Sequence, residues 1–331
     1  MRSRSRVRQT SPYPTLLRNI LRVSQHDPHA IVHQIREGQF QRSLALIAGL
    51  SSVIAGLEVG YEHYRGSYGQ RIMYTPVIFS GVLSVAGIWA AFSRRAARGP
   101  LRIISIITLA DCFTGFVFHI RGIQRKPAGW RLPVFNIIMG PPLFAPLLFG
   151  TSAYLGLVAS FLRREDSSAN ANAPRFSLLS RTALFPQKLA LRHITAIQEL
   201  REGRFQRHLA AATAASAFFS GAEALYSHYK NNFCYKVQWT PIVISAVVVA
   251  AALAAIRSPR AAKKLLPAAS ALALADGAAG FFYHARGVVR RPGGLKHPVY
   301  NIMYGPPIFA PLLFAACGFL GLLAGMFRRE R

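Results

Sequence analysis

The sequence predicts an all-α integral membrane protein with eight transmembrane helices, arranged as two tandem parallel four-helix repeats. Apolar residues make up 52% of the 331 residues and charged residues only 16%, whereas soluble domains average about 25% charged residues. The apolar residues are concentrated in eight long runs, four in each half of the chain. The segment from Arg36 to Arg42 returns as Arg201 to Arg207, an offset of 165 residues that continues without a gap.

The eight runs have the length and composition of membrane spans. Most of them reach the roughly 20 residues that cross a hydrocarbon layer about 30 Å thick, and they lack the alternation of a barrel strand. An even number of spans per repeat brings both repeats in from the same side, as in parallel-repeat transporters. The runs are Ser43–Tyr64, Tyr74–Phe92, Ile103–His119, Ile137–Leu162, Leu209–Tyr229, Trp239–Ile256, Leu265–His284 and Ile302–Phe327.

The net charge of +28 is carried outside these runs. All 40 Lys and Arg residues lie at run ends or in links, because a cation at the bilayer centre costs about 2.5–3.5 kcal/mol. We therefore expect the lipid bilayer, with anionic lipids at its cytoplasmic face, as the partner rather than nucleic acid. Other membrane subunits are a further expected partner. The distribution of cations predicts cytoplasmic termini and a bacterial-type inner membrane.

Four segments follow from the repeat. Residues 1–35 form a basic N-terminal segment, 36–165 the first repeat, 166–200 a basic linker and 201–331 the second repeat. The N-terminal segment lacks the apolar core of a signal peptide. Pro14–Val23 and Phe176–Leu191 have the spacing of amphipathic helices on the cytoplasmic surface, with a disordered basic tail as the alternative for the first. Cys112, Cys234 and Cys317 include no repeat-equivalent pair, which favours three buried thiols over disulfides.

Ionisable residues inside the runs are the candidates for function, because a charge in a membrane helix is costly and usually serves one. Two acidic pairs and two histidine pairs recur at the repeat offset, whereas Glu62 is replaced by Ser227. With cytoplasmic termini, all these pairs lie in the extracytoplasmic half of each bundle. The pairs are Glu58 with Glu223, Asp111 with Asp276, His63 with His228, and His119 with His284.

Three interpretations of this polar layer remain open. His63 and His119 are candidates for ligating haem b, with Arg121 near a propionate. The same histidines with a carboxylate are candidates for a non-haem transition metal. The third interpretation is a structural hydrogen-bond network. The predicted cofactor-binding residues are His63, His119, Arg121, Asn136, His228, His284, Arg286 and Asn301, the metal ligands His63, His119, Glu58, His228, His284 and Glu223, and the polar network Asp111, Asp276, Tyr64 and Tyr229.

The sequence leaves three classes of function. A metal- or haem-binding membrane protein is expected from the paired histidines. A small-solute or proton-coupled transporter is expected from the parallel repeats, the buried acids and the Gly-Pro-Pro break at Gly140 and Gly305. A structural subunit of a larger membrane complex needs only the fold. The chain contains no P-loop, His-Glu-x-x-His or Gly-x-Ser-x-Gly motif, so no catalytic residue is predicted.

Overall fold

The computed structural model describes residues 34–36, 38–165 and 205–327, and these residues form helices, turns and loops without a β-strand. The predicted amphipathic segments Pro14–Val23 and Phe176–Leu191 lie outside the described residues. The first half contains α1 (Gln41–Arg65), α2 (Thr75–Phe92), α3 (Arg102–Gln124), the short α4 (Pro133–Ile138) and α5 (Ala145–Phe161).

The second half repeats this order of elements with nearly the same bounds. Four of its five helices begin and end 165 residues after their counterparts in the first half. The exception is the counterpart of α3, which begins one residue early. These helices are α6 (Gln206–Lys230), α7 (Thr240–Arg257), α8 (Leu266–Val289), α9 (Pro298–Met303) and α10 (Ala310–Met326). The described chain is therefore helical in both halves, as the apolar runs predict.

Within the described residues, five helical segments are long and apolar enough to cross a membrane, which indicates a membrane protein. They are Gln41–Arg65, Arg71–Phe92, Arg94–Gln124, Lys236–Arg257 and Ala261–Val289. The predicted fourth spans are shorter than expected. Ile137–Leu162 is not one helix, because Gly140, Pro141 and Pro142 interrupt it and α5 begins only at Ala145. The same break shortens α10 to 17 residues.

Each half is a ring of four helices. In the first half α1 packs against α2 and α5, and α3 packs against the same two helices, so α1 and α3 stand at opposite corners. The second half repeats these pairings with α6, α7, α8 and α10. The halves meet where α5 contacts α6 and where α10 contacts α1. One cluster of buried apolar residues continues through both halves.

The end of the bundle at which α1 begins and α5 ends is closed by side chains on helix ends. Arg42 donates from Nε to the carbonyl of Ala91, and Arg164 donates to the carbonyl of Phe92, both at 3.0 Å. These are the last carbonyls of α2, where a helix dipole favours a cation. Glu165 accepts from the backbone and hydroxyl of Ser43 in the first turn of α1. Cations thus lie at the C-terminal end of α2, and an acidic residue lies at the N-terminal end of α1.

The thiols differ from the prediction at one position. Cys112 and Cys317 are free and buried, whereas Cys234 is exposed. Cys234 lies in the link between α6 and α7, outside any apolar run, so the prediction that all three are buried is wrong for this residue.

Glycines set the distance between α1 and α2. A Cβ atom at Gly87 would lie 2.7 Å from the Cα atom of Gly49 and 2.8 Å from the carbonyl oxygen of Ala45. These contacts are with backbone, which cannot rotate away as a side chain can. Small residues of this kind let membrane helices approach closely. A Cβ atom at Gly81 of the same helix would meet no other part of the described chain within 4 Å.

We predict that Gly87→Ala separates α1 from α2 and lowers stability by about 1–3 kcal/mol, the usual cost of overpacking. The measurement is the thermal or denaturant unfolding midpoint of the detergent-purified protein. Gly81→Ala is the matched control and leaves the midpoint unchanged or slightly raised, because alanine favours a helix by up to about 1 kcal/mol. Equal midpoints for the two variants would contradict the packing described for Gly87.

Candidate functional site

The polar residues predicted to form a site gather at one end of each bundle. In the first half His63 lies near the end of α1, Thr75 begins α2 and His119 lies in the last turns of α3. Asn136 lies in α4, which precedes the broken part of the chain. The helix directions therefore bring these residues to the end opposite the one at which α1 begins and α5 ends.

The link between α1 and α2 orients His63. Its Nδ1 atom lies 2.7 Å from the carbonyl oxygen of Met73, and the backbone N–H of Tyr68 donates to the carbonyl of His63. The Tyr68 ring stacks on Tyr74 with centroids 4.3 Å apart. Phe233 stacks on Trp239 in the same way in the second half, at 4.2 Å. Aromatic stacking in this link thus holds the carbonyl that fixes the imidazole.

The two histidines of α3 and α8 anchor the broken segments. His119 Nδ1 lies 2.5 Å from the carbonyl oxygen of Pro142, and His284 Nδ1 lies 2.6 Å from that of Pro307. In an unbroken helix the Pro142 carbonyl would accept from residue 146, but Pro146 has no N–H. Pro311 removes the same donor from Pro307. In each half the imidazole therefore supplies the hydrogen bond that Pro146 or Pro311 cannot donate.

Within each half the two histidines approach each other across the ring of helices. The imidazole rings of His228 and His284 have centroids 6.4 Å apart and stand at 88° to each other. In the first half His63 exerts an electrostatic effect on His119. His63, His119 and His284 each use Nδ1 on a backbone carbonyl, so Nε2 is the nitrogen available to a ligand. Metal-ligating histidines are typically oriented by a hydrogen bond of this kind from the other ring nitrogen.

The glutamates of the first helices connect the two halves. Glu223 accepts a hydrogen bond of 2.7 Å from the backbone N–H of Phe144, and the Tyr226 hydroxyl donates to the carbonyl of Gly140 at 3.3 Å. Gly140 and Phe144 are four residues apart, so they would bond to each other in a continuous helix. Two residues one turn apart on α6 thus bond to the N–H and the carbonyl that would bond to each other if the helix of the other half were continuous.

The reciprocal contact occupies the other side of the interface. The Glu58 carboxylate faces the backbone of Phe309, with its Oε2 atom buried and without a hydrogen-bond partner among the described residues. The Tyr61 hydroxyl donates to the carbonyl of Gly305 at 3.4 Å. We call the contacts at the two breaks together the clasp, formed by Glu58 and Tyr61 of α1 and by Glu223 and Tyr226 of α6. Each half of the clasp places a carboxylate at the start of the other half's last helix, where a helix dipole favours an anion.

We predict that Glu58→Ala combined with Glu223→Ala destabilises the fold by about 1–3 kcal/mol, chiefly because the part-buried amide of Phe144 loses its acceptor Glu223. The measurement is the unfolding midpoint in detergent. Glu62→Ala is the matched control, because Glu62 has no counterpart in α6 and its ion pair with Arg65 is an exposed contact of 3.8 Å. Exposed pairs contribute little, and a loss for Glu62→Ala as large as for the clasp variant would contradict the assignment.

The aspartates are held by threonines at the start of the second helices. Thr75 Oγ1 lies 2.7 Å from Asp111 Oδ1 and 2.9 Å from the carbonyl oxygen of Ile72. Thr240 is placed alike, 2.6 Å from Asp276 and 2.9 Å from the carbonyl of Val237. A hydroxyl has one proton and two acceptor lone pairs, so it cannot donate to both oxygens. A protonated carboxyl that donates to the threonine oxygen satisfies all three groups.

We predict that Asp111 and Asp276 each carry a proton at neutral pH. Infrared difference spectra between the wild type and Asp111→Asn/Asp276→Asn are expected to contain the carbonyl band of a protonated carboxyl group. Glu165→Gln is the control and is expected to show only carboxylate bands, because Glu165 accepts from two donors of Ser43. A difference spectrum of the aspartate variant with carboxylate bands alone would disprove the hydrogen-bond assignment.

The remaining predicted residues have separate placements. The side-chain amide of Asn136 is buried and donates to the carbonyls of Pro127 and Gly129, and Asn301 does the same to Pro292 and Gly294. These amides therefore hold the loop before α4 and α9. Four others are exposed at the bundle end: Arg121, Arg286, Tyr64 and Tyr229.

Within the part of the chain that the structure describes, three or more His, Cys, Asp or Glu side chains nowhere gather closely enough to hold a metal ion. The histidine pairs are thus not joined by the glutamates predicted beside them, which are turned to the clasp. Comparisons of the chain with protein families, with curated proteins and with solved structures found no match. The fold and the polar end define a helical membrane protein, and its activity has to be argued from the site alone.

Sequence reasoning missed Tyr61 and Tyr226 as functional residues, although both recur at the repeat offset. Each stands three residues after a glutamate, one helical turn away. A Glu-x-x-Tyr pair facing a Gly-Pro-Pro break was the available indication, because such a break must leave backbone groups that need partners in lipid.

Proposed function

We propose that the protein binds one metal-centred group in each half, ligated by the Nε2 atoms of two histidines. The ligands are His63 with His119 in the first half and His228 with His284 in the second. The observation that carries the proposal is the approach of two imidazoles from opposite corners of a bundle, with ring centroids 6.4 Å apart in the second half. Two imidazoles that each hold one metal at about 2 Å would have ring centroids at roughly this separation.

The number of ligands favours haem over a bare ion. A structural zinc site uses four protein ligands and a catalytic one usually three, whereas each of the two histidine pairs offers only two ligands. Haem would bring four ring nitrogens of its own, so the two histidines of each pair would be enough to hold it. Arg121 and Arg286 lie at the same end of the bundle and supply cations for propionates, and helical bundles do build such sites between facing helices.

The proposal includes eight spans, with both termini on the cytoplasmic side of an inner membrane. The 17 residues of α5 and of α10 extend about 26 Å at 1.5 Å per residue. With the broken segment and α4 or α9 before them, they reach across a layer of about 30 Å. The bounds of α6 equal those of α1 shifted by the repeat offset, which supports a matching span. The histidines then lie in the extracytoplasmic half.

We predict that the detergent-purified protein contains either two equivalents of haem or two equivalents of a single kind of transition metal. The measurements are a visible absorption spectrum and elemental analysis, which separate the two groups. His63→Ala/His228→Ala is expected to lose both equivalents, and His119→Ala alone about half of the total. His208→Ala is the matched control, because this exposed imidazole stacks on Phe205 at the opposite end of the bundle.

A protein without colour or bound metal after expression with added haem and metal salts would overturn this proposal. So would a metal content that the histidine variants leave unchanged. Transport and a structural role in a larger complex would then be the functions that the fold supports.

A further inference from the structure

A cleft at the same end of the molecule is lined by residues of both halves. It has a volume of about 480 Å³, and Tyr64 at the end of α1 forms one side of it. The other side is the segment that leads into and through α9. Its lining residues from that segment are Lys296, His297, Pro298, Val299, Tyr300, Met303 and Tyr304.

We propose that this cleft binds a phosphate-bearing anion, with Lys296, His297 and the tyrosine hydroxyls as donors. The proposal is independent of the histidine pairs described above. A lysine ammonium is a common phosphate ligand, and tyrosine and histidine add hydrogen-bond donors in the same cleft. Tyr300 and Tyr304 stand side by side with ring centroids 4.7 Å apart, so their rings form one continuous wall.

The charges around the cleft favour an anion. Residues 285–309 contain Arg286, Arg290, Arg291 and Lys296 and no acidic residue. On the facing helix, the nearest acid to Tyr64 along the chain is Glu62, which pairs with Arg65. A surface of one sign raises the local concentration of ions of the opposite sign.

The first half provides an internal comparison. At the equivalent positions the lysine is Arg131, whereas His297 is replaced by Leu132, Tyr300 by Phe135 and Tyr304 by Met139. The helix bounds are the same in both halves, so the fold does not require the three polar side chains. Tyrosine is common where a membrane meets water, but an aromatic belt gives no reason to place a histidine beside the tyrosines in only one half.

A second difference between the two halves makes room for the side chain of His297. Gly293 has a φ of +78°, and a Cβ atom there would lie 2.5 Å from Cδ2 of His297. The first half has Ala128 at this position, also with a positive φ of 63°, and a leucine instead of the histidine. An alanine is therefore tolerated by the backbone, and the glycine makes room for the imidazole.

The test is binding of short-chain phosphatidylglycerol, short-chain phosphatidylcholine and inorganic phosphate to the full-length detergent-purified chain, measured by calorimetry or native mass spectrometry. We expect one site per chain. In the variant His297→Leu/Tyr300→Phe/Tyr304→Met, which carries the first half's residues, affinity is expected to fall by about tenfold or more, as the loss of one charge-assisted bond implies. The reverse variant, Leu132→His/Phe135→Tyr/Met139→Tyr with Ala128→Gly, is expected to gain a second site.

The three ligands separate the two sources of the phosphate. Competition between inorganic phosphate and phosphatidylglycerol would identify a site for free phosphate groups, and binding of phosphatidylglycerol alone a site for an anionic lipid headgroup. Equal binding by the wild type and the triple variant would overturn the proposal, as would binding of none of the three probes to the wild type. Gly293→Ala is expected to weaken binding while leaving the unfolding midpoint near that of the wild type.

Discussion

The opened backbone bond between Gly140 and Phe144, with its equivalent at Gly305 and Phe309, is the constraint on which the arrangement of the two halves depends. Water is absent from the hydrocarbon layer, so an N–H or carbonyl group freed there needs a partner from the protein. Glu223 and Tyr226 supply both partners for the first break. At the second break the Tyr61 hydroxyl of α1 donates to the carbonyl of Gly305, so each half supplies a partner to the broken backbone of the other.

The same breaks connect the interface to the histidine pairs. His119 bonds to the Pro142 carbonyl, which lacks a helical donor because residue 146 is a proline. A tyrosine of the other half donates to the carbonyl of Gly140. Gly115 and Gly122 of α3 lie against Pro146 and Pro141, where a Cβ atom would come within 3.3 and 3.0 Å. The orientation of the imidazole, the position of the break and the contact between the halves are therefore set by one set of backbone groups.

The sequence predicted the helical class, because apolar runs of about the length of a membrane span are easily recognised. It also predicted the end of each bundle at which the polar pairs gather, because each pair occurs at equivalent positions of the two repeats. It did not predict the bounds of the fourth helices, since apolar residues continue through the Gly-Pro-Pro break. It also grouped Glu58 with the histidines. Glu58 instead faces the backbone of Phe309 in the other half, and its Glu-x-x-Tyr spacing opposite a Gly-Pro-Pro break was the only indication of that contact in the sequence.

Differences between the halves separate positions that packing constrains from positions that it does not. Cys112 on α3 faces Gly150 on α5, whereas the second half has Gly277 facing Ala315, so the larger side chain has moved to the opposite helix. Such an exchange keeps the helices in contact, and it is the kind of change that close packing permits. The residues around His297 differ in another way. Leucine, phenylalanine and methionine of the first half correspond to a histidine and two tyrosines on an exposed surface, where packing offers no reason for the change and hydrogen bonding to a ligand does.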